Sequence, residues 1–400
     1  MTLPLLHDLK LDPTRDEAAR QDFVEAMRAF VLVDMAQDMQ SHYEHKVQPQ
    51  FEAANGRLPE GGVEVHKAMR PEAAFRNYSS LRYNVQEMVW RAVIPTIERN
   101  ADELSSRAEQ LRERRLNKVG GSLTLNPDLK IPDYVSRQDV HLMPGCYHTE
   151  NGADDLVAGS LYDGGLAVFS FGVMGTNLDD IGCSMSQFTK ARFPDLKPEQ
   201  ILYLGCTIGH NAVPWAHTFP DAQMYAIDVC APVLRYAHAR ALSQKARVHF
   251  SQQSAEELNF EDNSFDVVFS SMFLHELPTK AIRRALSEAH RVLKPGGVMI
   301  HMELPPNSHT QPYDSFYLDW DSYYNNEPFY KAFRDQVPID LVAEAGFSRD
   351  QYFEAVMPRY TYVEDEAFQA AISQDAEFDS ETGRLSDTIN WYCFGAVKSA

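Results

Sequence analysis

The stretch Ile201-Leu202-Tyr203-Leu204-Gly205-Cys206-Thr207-Ile208-Gly209-His210 constrains this chain more than any other. An apolar run ends in two glycines four residues apart, and a helix-compatible segment follows. This is the pattern of a strand turning into a helix around a ligand, because glycine permits torsions and close approach that a Cβ blocks. Ligands of open α/β sheets lie in such turns, beyond the carboxyl ends of the strands. A dinucleotide fingerprint needs G-x-G-x-x-G. Here Thr207 holds the middle place, and no third glycine follows Gly209.

Beyond this turn, strand and helix patterns alternate regularly. Strands are expected at Ile201–Leu204, Gln223–Val229, Arg247–Gln253, Phe265–Ser271 and Val298–Leu304. Helices are expected near Ala212–His217, from Pro232 to about Lys245, and along the stripe Ile282, Ala285, Leu286, Ala289 and Val292. Such a series implies a parallel sheet with right-handed crossovers. Asp228 stands at the carboxyl end of the second strand, where one carboxylate can accept from two hydroxyls at once. Three further blocks follow in order: Ser254-Ala255-Glu256-Glu257-Leu258 with Phe260 and Asp262–Asp266, then Ser270–Leu277, then Arg291–Gly297.

Together these blocks resemble the class I S-adenosylmethionine-dependent methyltransferases, densely over residues 195–305. The core is similar to the methyltransferases of ubiquinone and menaquinone biosynthesis, whereas the long N-terminal segment departs from them. The resemblance implies an α/β, Rossmann-like seven-stranded methyltransferase sheet with S-adenosylmethionine as cofactor. Its sixth strand would be Arg349–Met357, after a helix at Phe329–Ala345, and its antiparallel seventh Trp391–Val397. The implied cofactor contacts are Gly205, Cys206, Thr207 and Gly209 in the turn, then Asp228 and Val229 at the ribose. Ser254, Ala255 and Glu256 would border the adenine, and Ser271 ends the fourth strand. Two departures stand out: Tyr203 replaces the usual acid of the first motif, and Ser254 replaces an aspartate.

Methyl transfer from a sulfonium needs acceptor and methyl group held in line, and a base only where the nucleophile arrives protonated. His275 is the best-placed titratable group, with Tyr147 and His148 as alternates. The implied reaction is methylation of a small-molecule acceptor, the methylated atom being open. The alternatives are a catalytically degenerate S-adenosylmethionine-binding or regulatory protein and, more remotely, a nicotinamide-dependent oxidoreductase.

The rest of the chain frames this core. Thr14-x-x-Glu17 is a capping box opening a helix expected to end near Val47, before Pro49. A second stripe (Leu81, Val85, Met88, Val89) is interrupted by Pro95, and residues 1–130 read as a mainly helical N-terminal domain. Each of its helices has one apolar face to bury, which implies a cap over the core or a homodimer contact. Residues 131–195 are expected to cover the cofactor site, ahead of the domain at 196–400. That domain carries an aromatic insertion at 305–334 and an acidic excursion at 362–390, the latter expected to be solvated. Phe316, Tyr317, Trp320, Tyr323 and Tyr324 are candidate acceptor contacts or fillers of the seam with the N-terminal helices. Rings with acids between them suit an apolar acceptor carrying a polar or cationic group.

His141, Cys146, His148 and Glu150 carry metal-binding groups, but their spacing matches no standard zinc pattern, so no metal is expected. A net charge of −20 argues against a nucleic-acid partner. Five scattered cysteines suit a reducing cytoplasm. No basic region precedes an apolar core at the N-terminus, and no apolar run approaches the roughly 20 residues of a membrane span.

Overall fold

The computed structural model describes residues 7–374 and 376–399; Asp375 of the acidic run lies outside them. Its strands are β1 (Ser122–Thr124), β2 (Gln200–Leu204), β3 (Gln223–Asp228), β4 (Val248–Gln252), β5 (Phe265–Ser271), β6 (Leu293–Glu303), β7 (Tyr352–Pro358) and β8 (Asn390–Val397). They form one sheet in the order β1-β4-β3-β2-β5-β6-β8-β7. β8 runs antiparallel to both β6 and β7, and the other pairs are parallel.

Seven strands were expected and eight are present among the described residues. The addition is β1, whose Ser122 pairs with His249 at the edge of the sheet. Three residues are too few to show a period of two. What admits them is Gly121, at φ +91°, where a Cβ would lie 2.4 Å from the Val248 carbonyl oxygen.

Successive residues of β2 serve opposite layers, as the pleat requires. Ile201 and Tyr203 join one core with Trp215, Leu234, Phe250 and Phe269. Leu202 and Leu204 join another with Val268 and the buried stripe of helix Thr279–Val292. The segment expected as one helix at Phe329–Ala345 is two, Tyr330–Arg334 and Pro338–Glu344. Pro338 disfavours helical torsions at the residue before it, which breaks the run.

The N-terminal helices rest directly on this sandwich. The capping box is formed: the Thr14 and Glu17 amides each donate to the other's side chain. The helical run does not stop at Pro49 but continues to Asn55, passing through two π turns at Phe30–Met35 and Tyr43–Val47. The second π turn shifts the hydrogen-bond register just before Pro49, where an N–H is missing. Helix Ala73–Arg99 likewise runs through Pro95. Its Trp90 and Val93 share a core with Leu104, Leu161, Val168 and Tyr236, so the N-terminal layer and a sheet-covering helix are packed as one.

Helix Val157–Phe169 is notched by glycines to allow this. A Cβ at Gly165 would lie 2.1 Å from the Trp90 ring, and one at Gly159 would lie 2.3 Å from Tyr236. Truncating a side chain such as Trp90 to alanine costs about 3–5 kcal/mol in cores of this kind.

The acidic excursion is not simply solvated. Helix Asp365–Ile372 buries Phe368 completely beside β7. Arg384, only 8% exposed, lies over the Tyr317 ring at 4.6 Å from its centroid. Glu364, Asp365, Glu366, Glu377, Asp379 and Asp387 are exposed, while Phe368, Thr382, Arg384 and Ser386 are buried. No helix among the described residues is long and apolar enough to cross a membrane.

Candidate active site

At the carboxyl ends of β2, β3 and β5 lies a cavity of about 210 Å³, closed over by the N-terminal helices and by residues from 134 to 181. Gly205 (φ +67°) and Thr207 (φ +43°) take left-handed torsions in the turn after β2. For Thr207 that conformation is strained, and it is held by Asp228, whose carboxylate accepts the Thr207 amide at 2.9 Å and the Cys230 amide at 3.0 Å. Burial pushes the Asp228 carboxyl up to about 6, the two amides pulling the other way. Tyr203, in the place where an acid was expected, reaches Ser271 through its hydroxyl at 2.7 Å, and Asn211 donates to the same Ser271 oxygen.

Of the expected cofactor residues, Gly205, Thr207, Asp228, Val229 and Ser271 line the cavity together. Cys206 and Gly209 support the turn from behind: Cys206 is fully buried, and a Cβ on Gly209 would meet the Phe250 ring at 3.0 Å. Ser254, Ala255 and Glu256 do not line the cavity. The Glu256 carboxylate instead accepts from the Tyr134 hydroxyl at 2.8 Å and pairs with Arg284. Tyr134 itself, missed from the sequence, lines that edge.

His275 lies on the turn after β5, facing a buried acid. Its Nδ1 lies 2.6 Å from Glu303 Oε2, and the other oxygen of Glu303 accepts the Phe273 and Leu274 amides. Its Nε2 lies 3.4 Å from Glu327. His141 sits across Glu327, with Nδ1 at 3.4 Å from that carboxylate and Nε2 at 3.4 Å from Glu276. Glu276 also accepts the Tyr147 hydroxyl at 2.8 Å.

Burial alone would lower both imidazoles. The Glu303 carboxylate, with Glu327 and Glu276, instead pushes His275 up to about 9. Glu327 and Glu276 push His141 up to about 10. Burial opposes ionisation of Glu327, yet the two histidines hold it below the usual carboxylate range. Of the three catalytic candidates, His275 and Tyr147 therefore share this cluster. His148 does not line the cavity.

The segment read for metal-binding groups disperses. His141 enters the cluster, while Glu150 pairs with Arg235 at 2.5 Å. Of the five candidate rings, only Tyr317 lines the cavity. Trp320 stacks on His66 at 3.8 Å and Phe316 packs against Phe75, in the seam with the N-terminal helices, while Tyr323 is 66% exposed. Tyr324 contacts Trp320 and Tyr323 and stays outside the cavity. One helix puts its rings on different faces, and the cavity meets only one of them.

Glu276 and Glu303 were missed, although Glu276 adjoins His275 in sequence. Glu327 and Arg28 were also missed, because they arrive from distant segments.

The family described as a methyltransferase domain matches residues 201–297. The chain is similar to a demethylmenaquinone methyltransferase of Thermus thermophilus, 31% identical over 109 residues, which are 27% of this chain and 49% of that protein. It is also similar to a ubiquinone/menaquinone biosynthesis C-methyltransferase of Brucella anthropi, 34% identical over 150 residues, covering 33% of this chain and 56% of that protein. The chain thus spans about half the length of the curated relatives it matches. Among solved structures it is similar to a phosphoethanolamine N-methyltransferase of Haemonchus contortus, at 21% identity and a TM-score of 0.42. That match covers 62% of this chain and 60% of that one, a likeness too distant to carry an argument. Residues 201–297 are a class I S-adenosylmethionine-dependent methyltransferase domain, and its cofactor is S-adenosylmethionine.

Proposed function

We propose that the protein transfers the methyl group of S-adenosylmethionine to a small-molecule acceptor held in this cavity. The observation that carries the reading is a juxtaposition: one cavity is lined by the strained turn with Asp228 and by the His141–Glu276–His275–Glu327 cluster.

The residues present fit the cofactor. Each Asp228 oxygen accepts one backbone amide and retains acceptor capacity for a ribose hydroxyl. Such donors would favour its ionised form, which burial disfavours. The bound cofactor supplies an electrophilic methyl group on a sulfonium. With Glu303 behind His275, the cluster sets three carboxyl groups against two imidazoles and favours a nearby cation.

At neutral pH His275 and His141 are protonated and serve as donors that fix Glu303 and Glu327. Proton removal from an acceptor therefore falls to the Glu276 carboxylate, which the Tyr147 hydroxyl orients. The helical layer acts as a cap that excludes water from this site, with Leu32 and Trp90 in the cavity wall. Five free cysteines support a reducing, cytoplasmic setting as part of the same reading.

The test is calorimetric titration with S-adenosylmethionine and with NAD(H), followed by turnover to S-adenosylhomocysteine in cell extract. Failure to bind S-adenosylmethionine sinks the reading. Binding without turnover favours a regulatory protein.

A further inference from the structure

Four arginines are completely shielded from solvent: Arg28, Arg82, Arg240 and Arg334. A buried guanidinium is costly unless a carboxylate compensates it. Arg82 grips Asp321 with two contacts, at 2.5 and 3.1 Å. Arg334 meets Asp319 at 2.5 Å, and Arg240 stands 3.8 Å from Asp163. Arg28 has no carboxylate within 4.0 Å among the described residues.

The groups that touch Arg28 directly are neutral, while the Arg82–Asp321 pair acts on it from further off. Its Nε donates to the Phe169 carbonyl, and its Nη1 donates to Gln86 Oε1 at 2.6 Å. Gln86 Oε1 also accepts from Arg82, so it has nothing further to offer. The Phe169 ring lies 3.6 Å from the guanidinium carbon. Nη2 has no partner, and neither has the buried hydroxyl of Ser170, the next residue after Phe169. Arg28 and Ser170 both line the cavity described above. Burial and the neighbouring Arg82 both work against the Arg28 charge, yet a guanidinium does not give up its proton in a protein. Arg28 precedes the first π turn, whose Leu32 also lines the cavity, so a local irregularity of the helix marks this spot.

We propose that Arg28 Nη2 and Ser170 Oγ form an oxyanion subsite, and that the methyl acceptor is an apolar or aromatic acid whose carboxylate or phosphate completes it. The proposal rests on the methyltransferase reading and narrows its substrate class. Of the polar or cationic groups that the sequence of the aromatic insertion suggested, it keeps a polar one, an acid, and sets the cation aside. Arg82 and Asp321 neutralise each other, which leaves the charge of Arg28 for the ligand. Leu32, Trp90, Phe169, Tyr317 and Leu318 provide the apolar wall.

The test uses the full chain loaded with S-adenosylhomocysteine and titrated with benzoate, 4-hydroxybenzoate and phenyl phosphate, each against a neutral counterpart (benzamide, 4-hydroxybenzamide, phenol). At least one acid should bind roughly tenfold or more tighter than its counterpart. Which acid does so tells a carboxylate from a phosphate. Arg28→Met should abolish the preference, Arg28→Lys should keep part of it, and Ser170→Ala should weaken it a few-fold, with S-adenosylhomocysteine affinity unchanged in all three. Equal binding of acids and neutral compounds, absence of binding by every acid, or a preference that survives Arg28→Met overturns the proposal. If S-adenosylhomocysteine itself does not bind, the methyltransferase reading fails separately, and the same panel on the protein alone still decides the subsite.

Discussion

The two ends of the cavity are built differently. The cofactor end is made of backbone at the tips of adjacent strands. Gly205, Thr207 and Asp228 fall within 24 consecutive residues, and Asp228 accepts the Thr207 and Cys230 amides. The acceptor end is made of side chains gathered from across the chain. Arg28, Trp90, His141, Glu276, Glu327 and Leu385 come from six separate segments, and their charges depend on one another. The first end resists change because its geometry is local, so a substitution there acts through sterics and lost contacts. The second is a balance of buried charges, so it responds to pH and to single neutralisations.

The sharpest way to break this contrast is at Gly205. A Cβ there would lie 2.2 Å from the Phe273 ring, and the φ of +67° is unfavourable for a β-branched residue. Gly205→Val should cost about 3 kcal/mol or more of stability and remove cofactor binding. A denaturant titration with an unshifted midpoint would show that the turn is softer than the geometry requires.

Next is the pH response of the charged end. His275 and His141 are raised in the folded state to about 9 and about 10. The native protein then binds more protons than the unfolded chain above pH 6.5. The stabilisation from these two residues is full below that pH and is lost as pH rises through 9–10. For His275 alone the rise from 6.5 to about 9 corresponds to roughly 3 kcal/mol at most. His210 and His301, lowered by burial to about 3, and His238, lowered to about 4, change charge only below 6.5, whereas the buried thiols, such as Cys146 pushed up to about 12, add to the same fall at its alkaline end. Unfolding free energy should therefore fall from pH 6.5 to 10, and His275→Gln should flatten the slope. A wild-type profile that is flat or rising would contradict the cluster.

Asp228 joins the two kinds of construction, being a buried charge held by backbone. Asp228→Ala removes a charged acceptor from the ribose and leaves the Thr207 and Cys230 amides unpaired. S-adenosylhomocysteine affinity should drop by roughly 1.5–3 kcal/mol in calorimetry. An unchanged affinity would place the ribose elsewhere.

The same contrast explains what could be read from the sequence. The turn, Asp228 and the β-α alternation are written in short windows, because period-two runs, glycine torsions and strand ends are local properties. β5 was read to the residue for that reason. Ser254–Glu256, read as the adenine edge, lie outside the cavity lining, and Glu256 turns to Tyr134 and Arg284, partners that no short window of sequence shows. Glu303 ends β6 and looked like a strand residue, because nothing in its neighbourhood announces that His275 will fall 2.6 Å away. The charge of Arg28 stands out only beside Arg82, Arg240 and Arg334, the other fully buried arginines, each with a carboxylate within 4.0 Å. The edge strand β1 and the helix through Pro49 were missed for a third reason: one is too short for periodicity, and the other relies on a π turn that propensity does not encode.

The smallest expected effect is the most discriminating for the aromatic insertion. Tyr317 and Trp320 lie one turn apart on helix Pro312–Tyr324 and were indistinguishable by composition. Tyr317 lines the cavity, lies under Arg384 and shares a hydrogen bond with Tyr78. Trp320 lies outside the cavity, stacked on His66. Trp320→Ala should therefore cost only about 1–2 kcal/mol of stability while leaving turnover and S-adenosylhomocysteine affinity near wild type. Tyr317→Ala opens the acceptor wall and frees Arg384 to move. It should lower turnover in extract roughly tenfold at little change in cofactor affinity, because acceptor positioning is lost while the turn at Gly205 is untouched. If the two variants lost turnover equally, the whole helix would act as one lid. If neither lost any, the acceptor would bind nearer the cluster of His275 and Glu327, and the wall at Tyr317 would serve only to join the two layers.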